Sequence, residues 1–279
     1  MQDIFNELLI NVGDMALKRR ARRVLEELQL KSGDKVLDLG CGDGYYSYLL
    51  TQIPLKLKIT GIDSYMDAIN TARSVVPKDK VNFIVAHAEK IPFPKNSFDK
   101  IIMSEVIEHV EDDVKVLKEA RRVLIDNGIL VLTTPNKNYP FLWDPINWFL
   151  EHFFKIHIKS GFFAGIWNQH LRLYEPEHLI KKMEKSGFKN TTCELLTSWC
   201  LPFNHYLLNL GCRLLFYKKL TRNISRDINK FSSSRKQKTK LASFLFWFVN
   251  TFDKLNDIYA GSSGVSIFIT ASPKSRIPN

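Results

Sequence analysis

The stretch Val36-Leu37-Asp38-Leu39-Gly40-Cys41-Gly42-Asp43-Gly44 constrains this chain more than any other. An apolar run ending at three alternating glycines reads as a buried strand that turns sharply into a helix. The bare backbone of such a turn leaves room for a ligand. Several nucleotide cofactors use a turn of this kind, so the glycines alone do not choose among them. The acids narrow the choice. Asp38 at the strand end and Asp43 in the loop would repel a pyrophosphate and suit a positively charged ligand. Asp63, which ends the next strand at Gly61-Ile62-Asp63, is placed to accept hydrogen bonds from ribose hydroxyls.

Short apolar runs alternate with amphipathic stretches on both sides of this loop. The pattern predicts strands over 36–39, 57–62, 81–86, 98–103 and 128–134, and helices over 45–53, 66–75 and 106–124. Strands and helices in that order imply right-handed crossovers and a parallel sheet. Residues 1–30 read as helical, with Leu17, Ala21, Val24 and Leu28 on one face and Lys18, Arg19, Arg20, Arg22 and Arg23 on the others. Residues 135–171 break the regularity. They are rich in Trp, Phe and His and punctuated by Pro135, Pro140 and Pro145. A helix over 176–185 stopped by Gly187, a strand over 188–197, an irregular block over 198–263 and a last strand over 265–270 complete the reading. The Ser232-Ser233-Ser234 run reads as a flexible tip.

An apolar share of 45% is enough to bury a sizeable core and excludes wholesale disorder. The four cysteines form no Cys-x-x-Cys pair, which argues against a zinc ribbon or a disulfide scaffold and for a reducing compartment. The acidic start Met-Gln-Asp-Ile-Phe-Asn-Glu does not read as an export signal. The net charge of +11 is unevenly spread: from Arg213 to Lys240 ten Lys or Arg face the single acid Asp227, so this segment carries +9 and the rest of the chain +2. Such a segment meets phosphate in nucleic acid or on a membrane surface, or forms a solvated loop.

Beyond the loop, three further segments bear a resemblance. These are Ala88-Glu89-Lys90-Ile91-Pro92-Phe93 followed by Ser97-Phe98-Asp99, then Ser104-Glu105-Val106-Ile107-Glu108-His109-Val110, and then Ala120-Arg121-Arg122-Val123-Leu124 with Gly128-Ile129-Leu130. With the loop they resemble the class I S-adenosylmethionine-dependent methyltransferases, over residues 31–135 and again over 173–188. The resemblance implies an α/β fold, a doubly wound, mostly parallel seven-stranded sheet whose last strand is antiparallel, with helical insertions after the fifth and sixth strands. It implies a methyltransferase domain over 31–271, preceded by a helical segment over 1–30, carrying cap insertions at 135–171 and 198–263, and followed by a tail over 272–279. It further implies S-adenosyl-L-methionine held by Asp38, Gly40, Cys41, Gly42, Gly44, Asp63, Ser64, His87, Ala88 and Ser104. His87 is a departure, standing where the family often has an aspartate facing the adenine amino group.

A sulfonium is a strong methyl donor, so transfer needs an in-line nucleophile and excluded water, plus a base where the nucleophile must lose a proton. Candidates are Glu105, Glu108, His109 and His170. Placed at a helix start, residues 105, 108 and 109 share one face at i, i+3 and i+4. Acids there complement the helix dipole, and His109 could be base, substrate contact or packing residue. Two carboxylates and an imidazole could also chelate a divalent ion, Mg or Zn. The stretch resembles the ubiquinone-pathway O-methyltransferases and the small-RNA 2′-O-methyltransferases. That resemblance implies Glu105, Glu108 and His109 as ligands, with His170 from Asn168-Gln169-His170-Leu171-Arg172 completing the set.

Both insertions are expected at the C-terminal ends of strands, beside the cofactor. Leu241, Leu245, Phe248, Phe252, Leu255 and Tyr259 make an apolar helical stripe, widened by Phe244 and Trp247 and preceded by Arg235, Lys236, Lys238 and Lys240. The uncharged run from Leu241 to Phe252 is too short to span a bilayer of ~30 Å. It reads as an interfacial anchor on an anionic membrane, as a cap packed on the catalytic domain, or as both. The expected activity is methylation of an oxygen or other nucleophile on an amphipathic or lipid-linked small molecule, in the cytoplasm or peripherally on the inner face of the membrane. An RNA methyltransferase using the 213–240 segment and a non-catalytic cofactor-binding membrane protein are the alternatives.

Overall fold

A computed structural model describes residues 1–200, 230–231, 240–258 and 263–274. Seven strands form one sheet in the order β3-β2-β1-β4-β5-β7-β6. They are β1 (Lys35–Leu39), β2 (Lys58–Asp63), β3 (Val81–Val85), β4 (Phe98–Ser104), β5 (Leu124–Pro135), β6 (Phe188–Leu196) and β7 (Ser266–Pro273). The β1, β2, β3, β4 and β5 pairings are parallel, and β7 runs antiparallel between β5 and β6. Strand order reverses between β1 and β4, the crevice where doubly wound sheets bind ligands.

Helices cover both faces: α1 (Gln2–Leu8), α2 (Met15–Glu27), α3 (Tyr45–Thr51), α4 (Met66–Val75), α5 (Asp113–Val123), α6 (Pro145–Phe154) and α7 (Pro176–Lys185). Two apolar cores result, one on each side of the sheet. Leu25, Leu49, Leu50 and Ile69 join Val36 and Ile102 in the first, and Leu117, Val123, Leu179 and Met183 join Leu37 and Met103 in the second. Each such fully buried side chain contributes roughly 1.5–3 kcal/mol over exposure. A third cluster, with Met15, Tyr139, Trp143, Ile166 and Val265, packs the start of α2 under the segment that follows β5.

The 106–124 helix expected from sequence is shorter than the spacing suggested. Residues 106–109 form turns, and α5 starts only at Asp113, where the Asp112 carboxylate accepts from the Lys115 amide. Glu105, with φ +57°, is in the left-handed region and cannot open a helix. Glu105, Glu108 and His109 therefore do not share a helix face.

After β5 the chain runs through α6 and a 3-10 turn, Phe162–Trp167, before α7. Asp144 holds this segment together: it caps α6 through the Asn147 amide and accepts from the Ile166 amide. Gly165 lies against it with φ +56°, and a Cβ there would fall 1.7 Å from Asp144 Oδ2. Glycine is required at that position.

In the 198–263 block the described elements are α8 (Lys240–Asp253) and α9 (Leu255–Ile258). Phe246 of α8 is buried and Val249 packs on the third cluster, while Lys18 bonds Asn250 and Arg19 bonds Asp253 across to α2. Phe244 and Trp247, 57% and 62% exposed, look outward. The packed face is thus Phe246, Val249, Asn250 and Asp253, and the exposed Phe248 of the expected stripe lies off it. Tyr259, the serine run, residues 275–279 of the tail, and the 195–212 and 213–240 segments, apart from their described residues, lie outside the described residues. No described helix is long and apolar enough to cross a membrane.

Candidate active site

The glycine loop leaves the C-terminal end of β1 as the sequence predicts. The Gly40 and Cys41 amides both donate to the Ile62 carbonyl, and Gly44 caps α3. Gly40 takes φ +74°, with Val106 so close that a Cβ would sit 2.3 Å from it. Asp63 ends β2 beside the loop; its Oδ2 accepts from the Gly42 amide at 2.9 Å and its Oδ1 from the Tyr65 amide at 2.9 Å. Ser64 and His87 are exposed and Ala88 is half-buried next to them. Tyr65 and Met66, both largely exposed, follow Asp63 on the same rim. The sequence reading passed over them, because their exposure is set by the fold and not by local spacing.

Asp38 is buried under the loop, where its Oδ2 accepts from the Ser47 amide at 3.0 Å and the Ser47 hydroxyl at 2.7 Å. Burial pushes its carboxyl up to about 7, and the charges of Asp43 and Asp63 add to the effect. Lys230 lies over the same loop, paired with Asp43 at 2.7 Å and 5.0 Å above the Tyr45 ring.

Ser104 closes β4. Its Oγ lies 3.1 Å from the Tyr46 hydroxyl and 2.8 Å from Thr133 Oγ1, which donates to Glu105 Oε1 at 3.1 Å. Glu105 Oε2 in turn pairs with Arg20 of α2 at 3.2 Å. Arg20 was expected on a solvent face; it instead reaches into the end of the sheet.

A cavity of about 250 Å³ opens at this end of the sheet, between α2, the ends of β4, β5 and β7, and the segment after β5. Arg20, Glu105 and His170 line it with Trp143, Ile166 and Val265.

Behind it, Glu108, His109 and His170 offer ligand atoms that all lie within 4.8 Å of one another. Glu108 is fully buried, accepts from Thr134 at 2.9 Å, and keeps its Oε1 without a partner, 3.9 Å from His109 Nε2. Burial, and then the charge of Glu105, raise its carboxyl well above the usual range. His109 Nδ1 sits 3.0 Å from the Gln169 carbonyl, which fixes the hydrogen on Nδ1 in the neutral ring and leaves the Nε2 lone pair toward Glu108. The two imidazoles meet edge to face at 4.8 Å. Glu105 is not part of this cluster, because Arg20 and Thr133 hold its carboxylate. The four-residue chelating set expected from sequence reduces to three.

A family profile described as a methyltransferase domain matches residues 30–194. The chain belongs to the class I S-adenosylmethionine-dependent methyltransferases. Among its relatives, demethylmenaquinone methyltransferase of Thermotoga maritima is 28% identical over 67% of this chain and 82% of that one. The rice (Oryza sativa subsp. japonica) chloroplastic 2-methyl-6-phytyl-1,4-hydroquinone methyltransferase 1 is 24% identical over 78% of this chain, and the match spans only 60% of the rice protein. Haemonchus contortus phosphoethanolamine N-methyltransferase 2, solved with S-adenosyl-L-methionine, shares the fold with a TM-score of 0.56 at 19% identity, over 92% of this chain and 53% of that one. The chain is thus an α/β member of this methyltransferase family, and it spans about 60% of the rice relative's length.

Proposed function

We propose that this methyltransferase methylates an oxygen or other nucleophile on the head of an amphipathic, lipid-linked small molecule. The observation that carries the reading is the cavity at the ends of β4 and β5, where Arg20, Glu105 and His170 face Trp143, Ile166 and Val265. A polar end and an apolar wall fit a ring bearing oxygens. The quinone and hydroquinone names of the two relatives agree with that chemistry.

In this reading the cofactor lies along Asp38, Gly40, Cys41, Gly42, Gly44, Asp63, Ser64, His87, Ala88 and Ser104. Asp63 keeps lone pairs for ribose hydroxyls beyond those the Gly42 and Tyr65 amides use. The bound cofactor supplies the methyl group as an activated cation. The protein's part is to align the acceptor in the cavity and to exclude water with the segment after β5, which Asp144 and Gly165 hold closed. In this reading His170, on the cavity wall, takes the acceptor's proton with the His109 ring 4.8 Å from it, and Glu105 keeps Arg20 and the end of β4 in place.

The donor set of Glu108, His109 and His170 also fits a divalent cation. The partnerless Glu108 Oε1 and the His109 Nε2 lone pair are the atoms that favour it. An ion bound there would lower the pKa of an acceptor hydroxyl.

The outward rings of α8, Phe244 and Trp247, with the basic 213–240 segment, would set the enzyme on an anionic membrane beside a lipid-borne acceptor. The test is methyl transfer from radiolabelled S-adenosylmethionine into fractionated cell extract. Label in the lipid extract supports the reading, and label confined to RNA refutes it.

A further inference from the structure

Between Phe141 and Leu171 the segment after β5 carries two acids, Asp144 and Glu151, and both are turned into the protein. Asp144 is buried and accepts from the Asn147 side chain and the Ile166 amide. Glu151 of α6 accepts from the Tyr139 hydroxyl at 2.9 Å through Oε2 and from the Trp167 indole at 2.6 Å through Oε1. The two lysines of the same stretch, Lys155 and Lys159, are exposed. Lys155 ends α6 in the left-handed region at φ +58°, where glycine is the usual residue, and its side chain has no partner among the described residues.

A cleft of about 430 Å³ lies here, bounded by Lys137, His152, Lys155, His157 and Trp167 around Glu151. His152 is fixed in place, stacked on Trp148 at 3.7 Å with its Nδ1 2.8 Å from the Trp148 carbonyl. Lys159 stands 5.8 Å above the Trp167 ring. Glu151 is satisfied and Lys137 is paired with Glu175 at 2.7 Å, so the charge left over in the cleft is positive. Beside it the chain turns apolar side chains outward: Phe153, Phe154 and Ile156 are 66%, 61% and 57% exposed. Phe149 stands three residues before His152, next to it on the helix, with its ring 4.6 Å from that of Phe153. Rings left in water beside unpaired cations, with no acid facing outward, match the boundary between anionic head groups and acyl chains.

We propose that this cleft receives the head-group phosphate of an anionic phospholipid, while Phe149, Phe153, Phe154 and Ile156 enter the acyl layer beside it. The inference rests on the membrane reading of the enzyme and adds a second foothold to α8. At 10 residues α6 is too short to cross a bilayer of ~30 Å, so it lies along the surface. Trp148 of α6 and Val249 of α8 pack on the same third cluster, which makes the two helices neighbours. Two weak footholds on one body hold where either alone exchanges, because the second binds at a high effective concentration.

The experiment floats the full chain with vesicles of phosphatidylcholine and with vesicles of equal parts phosphatidylcholine and phosphatidylglycerol, with circular dichroism to confirm that each variant is folded. Wild type should float with the mixed vesicles only. Phe153→Glu with Phe154→Glu should float with neither. Lys155→Gly with Lys159→Gln, in which glycine suits the left-handed cap, should bind the mixed vesicles on the order of tenfold more weakly, as the loss of two lysines from an anionic surface requires. Lys78→Gln with Lys80→Gln makes the same charge change at exposed sites ahead of β3, at the other end of the sheet, and should stay within about twofold of wild type. Equal losses in the two lysine pairs overturn the site in favour of net charge. If the α6 variants float like wild type, the proposal falls and the α8 reading stands; if wild type floats with neither vesicle, both fall. Loss of flotation in the α6 variants, with flotation kept by Trp247→Glu with Phe248→Glu, supports the cleft and refutes α8. Should the phenylalanine pair not fold, the lysine pair decides. Dimers that form without lipid and depend on Phe153 and Phe154 would mean that a second copy covers the rings, and overturn the proposal.

Discussion

If the cofactor lies against Asp38 as proposed, its affinity should depend on pH. The Asp38 carboxyl is pushed from 3.8 to about 7 by burial beneath the glycine loop. A cationic ligand on that loop selects the carboxylate, so binding below pH 7 must first expel a proton. At pH 6 an acid of pKa about 7 is ionised in roughly a tenth of molecules, so apparent affinity should fall roughly tenfold between pH 8 and pH 6. The fold itself responds in the opposite sense. Between 3.8 and about 7 the folded chain holds a proton that the unfolded chain has released, so this group's contribution to apoprotein stability is full below that window and is lost as pH rises through it. The loss amounts to about 4 kcal/mol across the window. Asp38→Asn keeps an acceptor for the Ser47 amide and hydroxyl while removing the titration. It should flatten both profiles, raise apoprotein stability at pH 8 and weaken cofactor binding there. Calorimetry with S-adenosylhomocysteine at pH 6, 7 and 8, alongside thermal melts, reads all of this. Wild-type affinity constant within twofold over that range, or the same slope in Asp38→Asn, would refute the reasoning.

Three further outcomes are expected. Asp63→Ala removes the acceptor for the Gly42 and Tyr65 amides along with the proposed ribose contacts, and should cost on the order of 1–3 kcal/mol of cofactor affinity by calorimetric titration. If Glu108, His109 and His170 hold a metal, a chelator should abolish turnover with cofactor binding intact, and Mg²⁺ or Zn²⁺ should restore it; full activity in excess chelator leaves His109 and His170 as base candidates without an ion. Trp247→Glu with Phe248→Glu should stay in solution while wild type floats with anionic liposomes, and two proteins that both stay soluble at every composition would sink the membrane reading.

Much of the sheet was legible because its strands are apolar runs with hard stops. The helices Met66–Val75 and Pro176–Lys185 lie where the sequence puts them: the first ends shortly before Pro77, and the second starts on Pro176 and stops before Gly187. The helix expected over 106–124 failed because Val106, Ile107 and Val110 mimic helical spacing while packing as turns. The signal that would have corrected it was Asp112, an acid with Asp113 beside it three residues ahead of Lys115, in the pattern of a helix start. Arg20 was missed for a different reason. Amphipathic spacing separates inside from outside, but Arg19, Arg20 and Arg23 find partners at Asp253, Glu105 and Glu194, far away in sequence. Nothing local marks which of five basic side chains turns inward.

That miss changes what Glu105 and Glu108 are. Read as one helix face they were equivalent ligands, interchangeable in a chelating set. The left-handed turn at Glu105 splits them. It sends one carboxylate to the arginine of α2 and leaves the other enclosed beside two imidazoles, with one oxygen unused. The first acid therefore couples the N-terminal helix to the end of β4, and through Thr133 and Ser104 to Tyr46 on the helix that follows the glycine loop. The second is tied to β5 through Thr134 and turns its other oxygen toward the histidines. Substituting them should separate the two roles: Glu105→Gln loosens α2 from the end of β4 and lowers the melting temperature, whereas Glu108→Gln leaves that link intact and changes what His109 and His170 do.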